Sequence, residues 1–399
     1  LLLGSEKKRR DEVGGPVDLD GARDVPAGVE QLVLVGFDDA DAGVVRDPAR
    51  EWPTVATGQP PDVHGVHGLE TRRVAGLQGS VGSLESRGLG GAIRGATDLL
   101  RLTRPSTASV AELRSKTVWE VAADAGLRAA VVNWWATWPA TQSGANPPIV
   151  VSDRATLRLE RGGALDGEIA PLPAYERLRG EWPRIRGEVA ARVEAMLPAG
   201  ADARTREALG RAAEVDALQA AMASRLGPPP LDLLAVYLPG LDIAQHALLG
   251  SGDAISPSEM AVRLEGLRGY YGYLDGLLEG IAAPGDGMVV TVAQPGRIAT
   301  ITHGLVAVSG DGAAAEPRGE ARMRAVDVAP TVLHALGIPV SRELAGRPVL
   351  ELFSAPFTAR YPVRETATYG RRTAPSAARE GQPLDREMIE RLRSLGYVR

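Results

Sequence analysis

The sequence predicts an α/β fold, with a largely parallel central sheet flanked by helices on both faces. Apolar runs of strand length, at Leu32–Phe37, Leu127–Val132, Leu231–Leu238 and Met288–Ala293, show little polar alternation. Strands buried on both faces read in this way. Helix-start chemistry lies between the runs, and strands alternating with helices imply crossovers that return each new strand in parallel. A chain of 399 residues with 44% hydrophobic content can bury one large core or two smaller ones.

Residues 1–29 are polar and punctuated by Gly and Pro, a flexible lead-in to a single domain over 30–399. Leu1-Leu2-Leu3-Gly4 followed by Lys7-Lys8-Arg9-Arg10 raises the expectation of a preceding signal or anchor segment, and of membrane association through it. No other stretch of the sequence is long enough for a membrane span. Leu32–Phe37 delivers Asp38 at its carboxyl end, where open α/β sheets gather ligands. Thr117 and Glu120 form a capping-box pattern that opens a helix through Ala125, and Gly126 ends it before Leu127–Val132. From Tyr175 to Leu226 the pattern is helical with a break at Leu197-Pro198-Ala199-Gly200, a helical hairpin inserted at about 173–227. Ser256-Pro257-Ser258-Glu259 opens a long helix to about Ile281. Leu305–Val308 reads as a short strand, and Asp327 as the cap of a helix over Val328–Leu336 that Gly337 ends.

The formal net charge of -5 comes from interspersed charges, so no basic surface for nucleic acid is expected. The absence of cysteine removes disulfides, thiolate zinc sites and cysteine nucleophiles, and leaves the compartment open. Among the remaining chemistry, Asp242 and His246 stand four residues apart just beyond the end of Leu231–Leu238. An aspartate and a neutral imidazole are ordinary zinc ligands, and Asp38 adds a third candidate at a strand end. His246 reads equally as a plain helix-face residue.

Several segments together resemble one family. Val35-Gly36-Phe37-Asp38-Asp39-Ala40-Asp41, Trp52-Pro53-Thr54-Val55-Ala56-Thr57-Gly58 with His64-Gly65-Val66, Trp134-Trp135-Ala136-Thr137-Trp138-Pro139, and Val151-Ser152-Asp153-Arg154 carry the resemblance. Asp327-Val328-Ala329-Pro330-Thr331, Leu336-Gly337-Ile338-Pro339 and the terminal Leu392-Arg393-Ser394-Leu395-Gly396-Tyr397 extend it. The chain is similar to the alkaline phosphatase superfamily, most closely its bacterial type I phosphodiesterase/nucleotide pyrophosphatase-like branch. The resemblance implies two divalent ions, usually zinc, that hold a phosphate or sulfate ester while a Thr or Ser attacks in line. It places Asp242, His246 and a later His on one ion, and places Asp38, the nucleophile and a late Asp-His pair on the other.

The sequence departs from that pattern in two segments. Alignment on Trp52 and Thr57-Gly58 puts Pro48 at the nucleophile's position, and the stretch from Asp38 to Trp52 is shorter than the family's. The strand Val289–Ala293 ends in Ala293-Gln294-Pro295-Gly296 where the family has Ser-Asp-His-Gly. His303 is either the later His of the first ion's site or the turn before the next strand. Thr54 and Thr57 stand as replacement nucleophiles or, more plainly, as polar packing. His64, His67 and His334 read as structural, and Trp134, Trp135 and Trp138 as packing.

The expectation is therefore a non-catalytic or nearly inactive relative, retained for a phosphate-ester ligand or as a protein partner in an assembly. One zinc-like ion on Asp38, Asp242, His246 and His303 is expected, or none. The alternative is an active phosphoric ester hydrolase with an altered one-metal site. The resemblance favours an extracytoplasmic location, whereas the basic cluster near the start argues the other way.

Overall fold

The computed structural model describes residues 32–39, 48–74, 80–82, 103–140, 142, 144–250, 255–281, 287–295, 304–315, 322–372 and 383–397. The chain runs β1 (Leu32–Asp39), α1 (Pro48–Thr57), α2 (Pro61–His64), β2 (Glu70–Val74), β3 (Ser80–Gly82), β4 (Thr103–Thr107) and α3 (Val118–Asp124). β5 (Ala129–Val132), β6 (Ile149–Val151), α4 (Ala155–Arg161), β7 (Ile169–Ala170), α5 (Leu172–Met196) and α6 (Ala203–Ala223) follow. Next come β8 (Leu233–Leu238), α7 (Gly240–Leu249), α8 (Pro257–Ile281), β9 (Met288–Pro295), β10 (Leu305–Gly310) and α9 (Ala325–Ala335). The last elements are β11 (Val340–Ser341), α10 (Ala355–Arg360), β12 (Glu365–Thr366) and α11 (Pro383–Ser394).

The central sheet has seven strands in the order β10-β9-β1-β8-β5-β6-β7. The five inner strands are parallel, and short antiparallel strands close both edges. The alternation of β8 explains its unbroken apolar run. Leu233, Ala235 and Tyr237 enter one core, whereas Leu234, Val236 and Leu238 enter the other. The first core packs α1, α3, α9 and α10 on one face of the sheet, and the second packs α4 to α8 on the opposite face. Among the described residues no helix is long and apolar enough to cross a membrane.

The hairpin insertion is α5 and α6, with Leu197 and a left-handed Gly200 at the break between them. Asp202 caps α6, its side chain accepting from the Thr205 amide at 2.9 Å. Thr117 and Glu120 form a complete capping box at α3. At α9 the expectation shifts by most of a turn. The helix opens at Ala325, and Asp327 lies inside its first turn, accepting from the backbone of Arg324 and Arg347. The antiparallel sheet β3-β2-β4 has no counterpart in the sequence reading.

Candidate functional site

Three parallel strands end side by side at the sheet's carboxyl edge. Phe37 of β1 is in register with Leu238 of β8 and Ala293 of β9, and one step further Asp38 is in register with Gln294, then Asp39 with Pro295. Neighbouring strands run about 4.8 Å apart, so these positions are adjacent across the edge. Beyond Leu238 only Pro239 intervenes before α7. Asp38 is described by its strand position, and His303 lies outside the described residues.

Asp242 occupies the first turn of α7 and is 1% exposed, while His246 lies one turn later and is half-buried. Residues four apart share a helix face, so the spacing read from the sequence becomes a true neighbourhood. An acid in the first turn also interacts favourably with the helix N-terminus, by about 0.3–1 kcal/mol, which gives Asp242 a structural role of its own.

Buried polar groups from the neighbouring helices hold α7 at both ends. No side chain at Pro239 caps it. Instead Asp216 of α6, fully buried, accepts from the Gly240 amide at 2.7 Å and from the Tyr270 hydroxyl of α8 at 2.9 Å. Burial pushes the Asp216 carboxyl up to about 7, and the two donors oppose that shift. A Cβ on Gly240 would fall within 3.0 Å of Tyr270 Oη, Asp216 Oδ2 and the Ala212 carbonyl, so the close approach requires glycine. At the other end Arg263 of α8, 1% exposed, donates to the Leu248 carbonyl and to Glu259. The Asp216 carboxyl satisfies an amide left open at the N-terminus, and the Arg263 guanidinium at the C-terminus complements the helix dipole.

The opposite half of the edge is held by aromatic packing. Trp52 of α1 meets Trp134 edge-on at 5.3 Å and Tyr237 of β8 at 5.1 Å, and the Trp134 indole donates to the Trp52 carbonyl. Trp138 donates to the Asp166 carbonyl, and the buried Arg154 stacks on its ring at 3.7 Å. Pro48 opens α1, a position that suits proline because its missing N–H would be unpaired there in any case. Thr57 donates to the Pro53 carbonyl at 2.7 Å, and Thr54 to the Arg50 carbonyl at 3.3 Å. Both threonines are buried, so neither hydroxyl is presented as a nucleophile.

His64 accepts from the Val66 amide at Nδ1, which places its proton on Nε2, 3.0 Å from Thr54 Oγ1. Burial, with His67 and Arg50 nearby, lowers it to about 4, so it is a neutral structural ring. His334 is likewise buried, edge-on to Phe353 and Phe357.

Among the described residues no group of three or more His, Asp or Glu side chains is placed to hold a metal ion. Asp242 and His246 offer two donors where zinc takes about three or four from protein. His246 also opens on a cleft that Arg204, Arg211 and Arg393 line with positive charge. The described donors do not make a cation site by themselves.

The sequence reading missed Asp216, Tyr270 and Arg263. Asp216 had a signal, since an acid at this position falls on the apolar stripe Leu209, Ala212, Ala213 and Ala220 of its helix.

The model of the type I phosphodiesterase/nucleotide pyrophosphatase family matches residues 49–281, more than half of the chain. That span contains α7 and all of α1 except Pro48, and leaves out β1 and β9. No curated protein matches the chain. With its mostly parallel sheet, its helices on both faces and the match across them, the chain belongs to the type I phosphodiesterase/nucleotide pyrophosphatase family, within the alkaline phosphatase superfamily.

Proposed function

We propose that this chain is a non-catalytic or nearly inactive member of its family, retained for ligand binding or as a subunit of an assembly. The register of β1 and β9 carries the reading. Gln294 and Pro295 stand beside Asp38 and Asp39, at the positions where the resemblance puts an Asp-His ligand pair. Pro48 begins α1 where the resemblance puts the attacking hydroxyl, and the nearby threonine hydroxyls are bonded within that helix. In-line displacement between two ions needs a nucleophile on one of them and ligands for both. An amide, a pyrrolidine ring and a second pyrrolidine do not supply those groups.

One observation favours a second reading, a phosphoric ester hydrolase with an altered one-metal site. Asp242 and His246 remain one turn apart on a helix fixed at both ends. Turnover separates the two readings. Purified chain supplied with zinc and aryl phosphate mono- and diesters is expected to release no product above the buffer rate. Release that Asp242→Ala abolishes would establish the hydrolase and overturn the first reading.

A further inference from the structure

A cleft of ≈ 440 Å³ lies where α6, α7 and the end of α11 meet, and His246 lines it. Its size falls within the range of small-molecule sites, about 300–1,000 Å³. Along α6, Arg204, Glu207 and Arg211 follow one another at the spacing of a single helix face, and Arg393 enters from the last turn of α11. Arg211 is already engaged, donating to the Glu207 carboxylate and, at 3.3 Å, to the Ser394 carbonyl, which ties the terminal segment to α6. The side chains of Arg204 and Arg393 form no ion pair with another described residue. Glu207 answers Arg211, so two guanidinium charges in the cleft have no counter-charge among its lining residues.

Guanidinium groups present planar forks that match carboxylate and phosphate oxygens, and pairs with those anions are among the stronger hydrogen bonds. A divalent cation beside the same two groups would be repelled. Ile243 and Leu395 add an apolar wall for the remainder of a ligand. We propose that this cleft binds a small anionic molecule with a phosphate or carboxylate head group, held by Arg204 and Arg393 beside His246 with no metal ion between. This inference rests on the reading that the fold is kept for binding, and names the class of ligand.

Calorimetric titration of the full chain in excess EDTA, with inorganic phosphate in one arm and succinate in the other, tests it. Saturable binding is expected in at least one arm, and the arm that binds identifies the head group. Both Arg204 and Arg393 are exposed, so the double variant Arg204→Ala/Arg393→Ala should fold and lose at least tenfold in affinity. Arg268→Ala, at an exposed arginine that pairs with Glu265 within α8, away from the cleft, should leave binding unchanged. Binding of neither anion, binding unaffected by the double variant, or binding that appears only when zinc is added would each overturn the proposal. Catalysis is read separately by ester turnover in zinc, so a working hydrolase and a failed anion site give different results.

Discussion

The two halves of the carboxyl edge are built from different physics. Around α7 the backbone is fixed by buried polar groups, with Asp216 and Tyr270 at one end and Arg263 at the other. Around α1 the structure is fixed by apolar contact among Trp52, Trp134 and Tyr237, and by hydroxyls bonded within their own helix. The half held by buried polar groups keeps two residues of ligand type, Asp242 and His246. The half held by aromatic packing has Pro48 at the start of its helix, and Gln294 and Pro295 on the strand beside Asp38. Buried polar groups are costly unless paired, so a region anchored through them has less freedom to drift than one stabilised mainly by apolar packing.

The largest expected effect breaks the aromatic half. Trp52→Ala removes a fully buried ring and should cost about 3–5 kcal/mol in denaturant unfolding. The folded fraction should still bind the anion in the cleft, because Trp52 belongs to the opposite core from α7. Next comes Gly240→Ala, whose added methyl has no room against Tyr270 and Asp216. A loss of about 1–3 kcal/mol is expected, and an unchanged midpoint would mean that α7 is not held as described.

The two halves should also differ in their response to pH. The folded Asp216 carboxyl keeps its proton to about 7, whereas a free one loses it near 3.8. Its contribution is therefore full below 3.8 and is lost as pH rises through about 7. His64, lowered from 6.5 to about 4, acts in the opposite sense. Its contribution is present above 6.5 and is lost as pH falls through about 4. Asp216→Asn should remove the first dependence and leave the second, so the variant gains on the parent as pH rises from about 4 to about 7. Stability curves that stay parallel would refute this assignment. The smallest effect is expected from Thr54→Val, about 1 kcal/mol with no change in ligand binding, since its hydroxyl serves only Arg50 and His64 among the described residues.

Much of the sheet was legible because burial on both faces leaves unbroken apolar runs, as in β8. The helix starts at Thr117 and Ser256 were legible because capping is local chemistry. β2, β3 and β4 were not legible, since Arg72, Arg73 and Pro105 break any apolar alternation and β4 pairs with β2 across residues 75–102 of the chain. In the site, the i and i+4 relation of Asp242 and His246 was visible. The partnership of Asp216 with Gly240 and Tyr270 was not, because contacts across 24 and 54 residues leave no local pattern. The cleft arginines were hidden for the same reason, as α6 and α11 meet only in the fold.

The central claim is that one half of a two-ion site has been replaced. It is tested most directly by metal stoichiometry, measured by elemental analysis after saturation with zinc and removal of loosely held ions. The account predicts at most one zinc ion per chain, and its loss in Asp242→Ala if one is held. Two tightly bound ions per chain would contradict it.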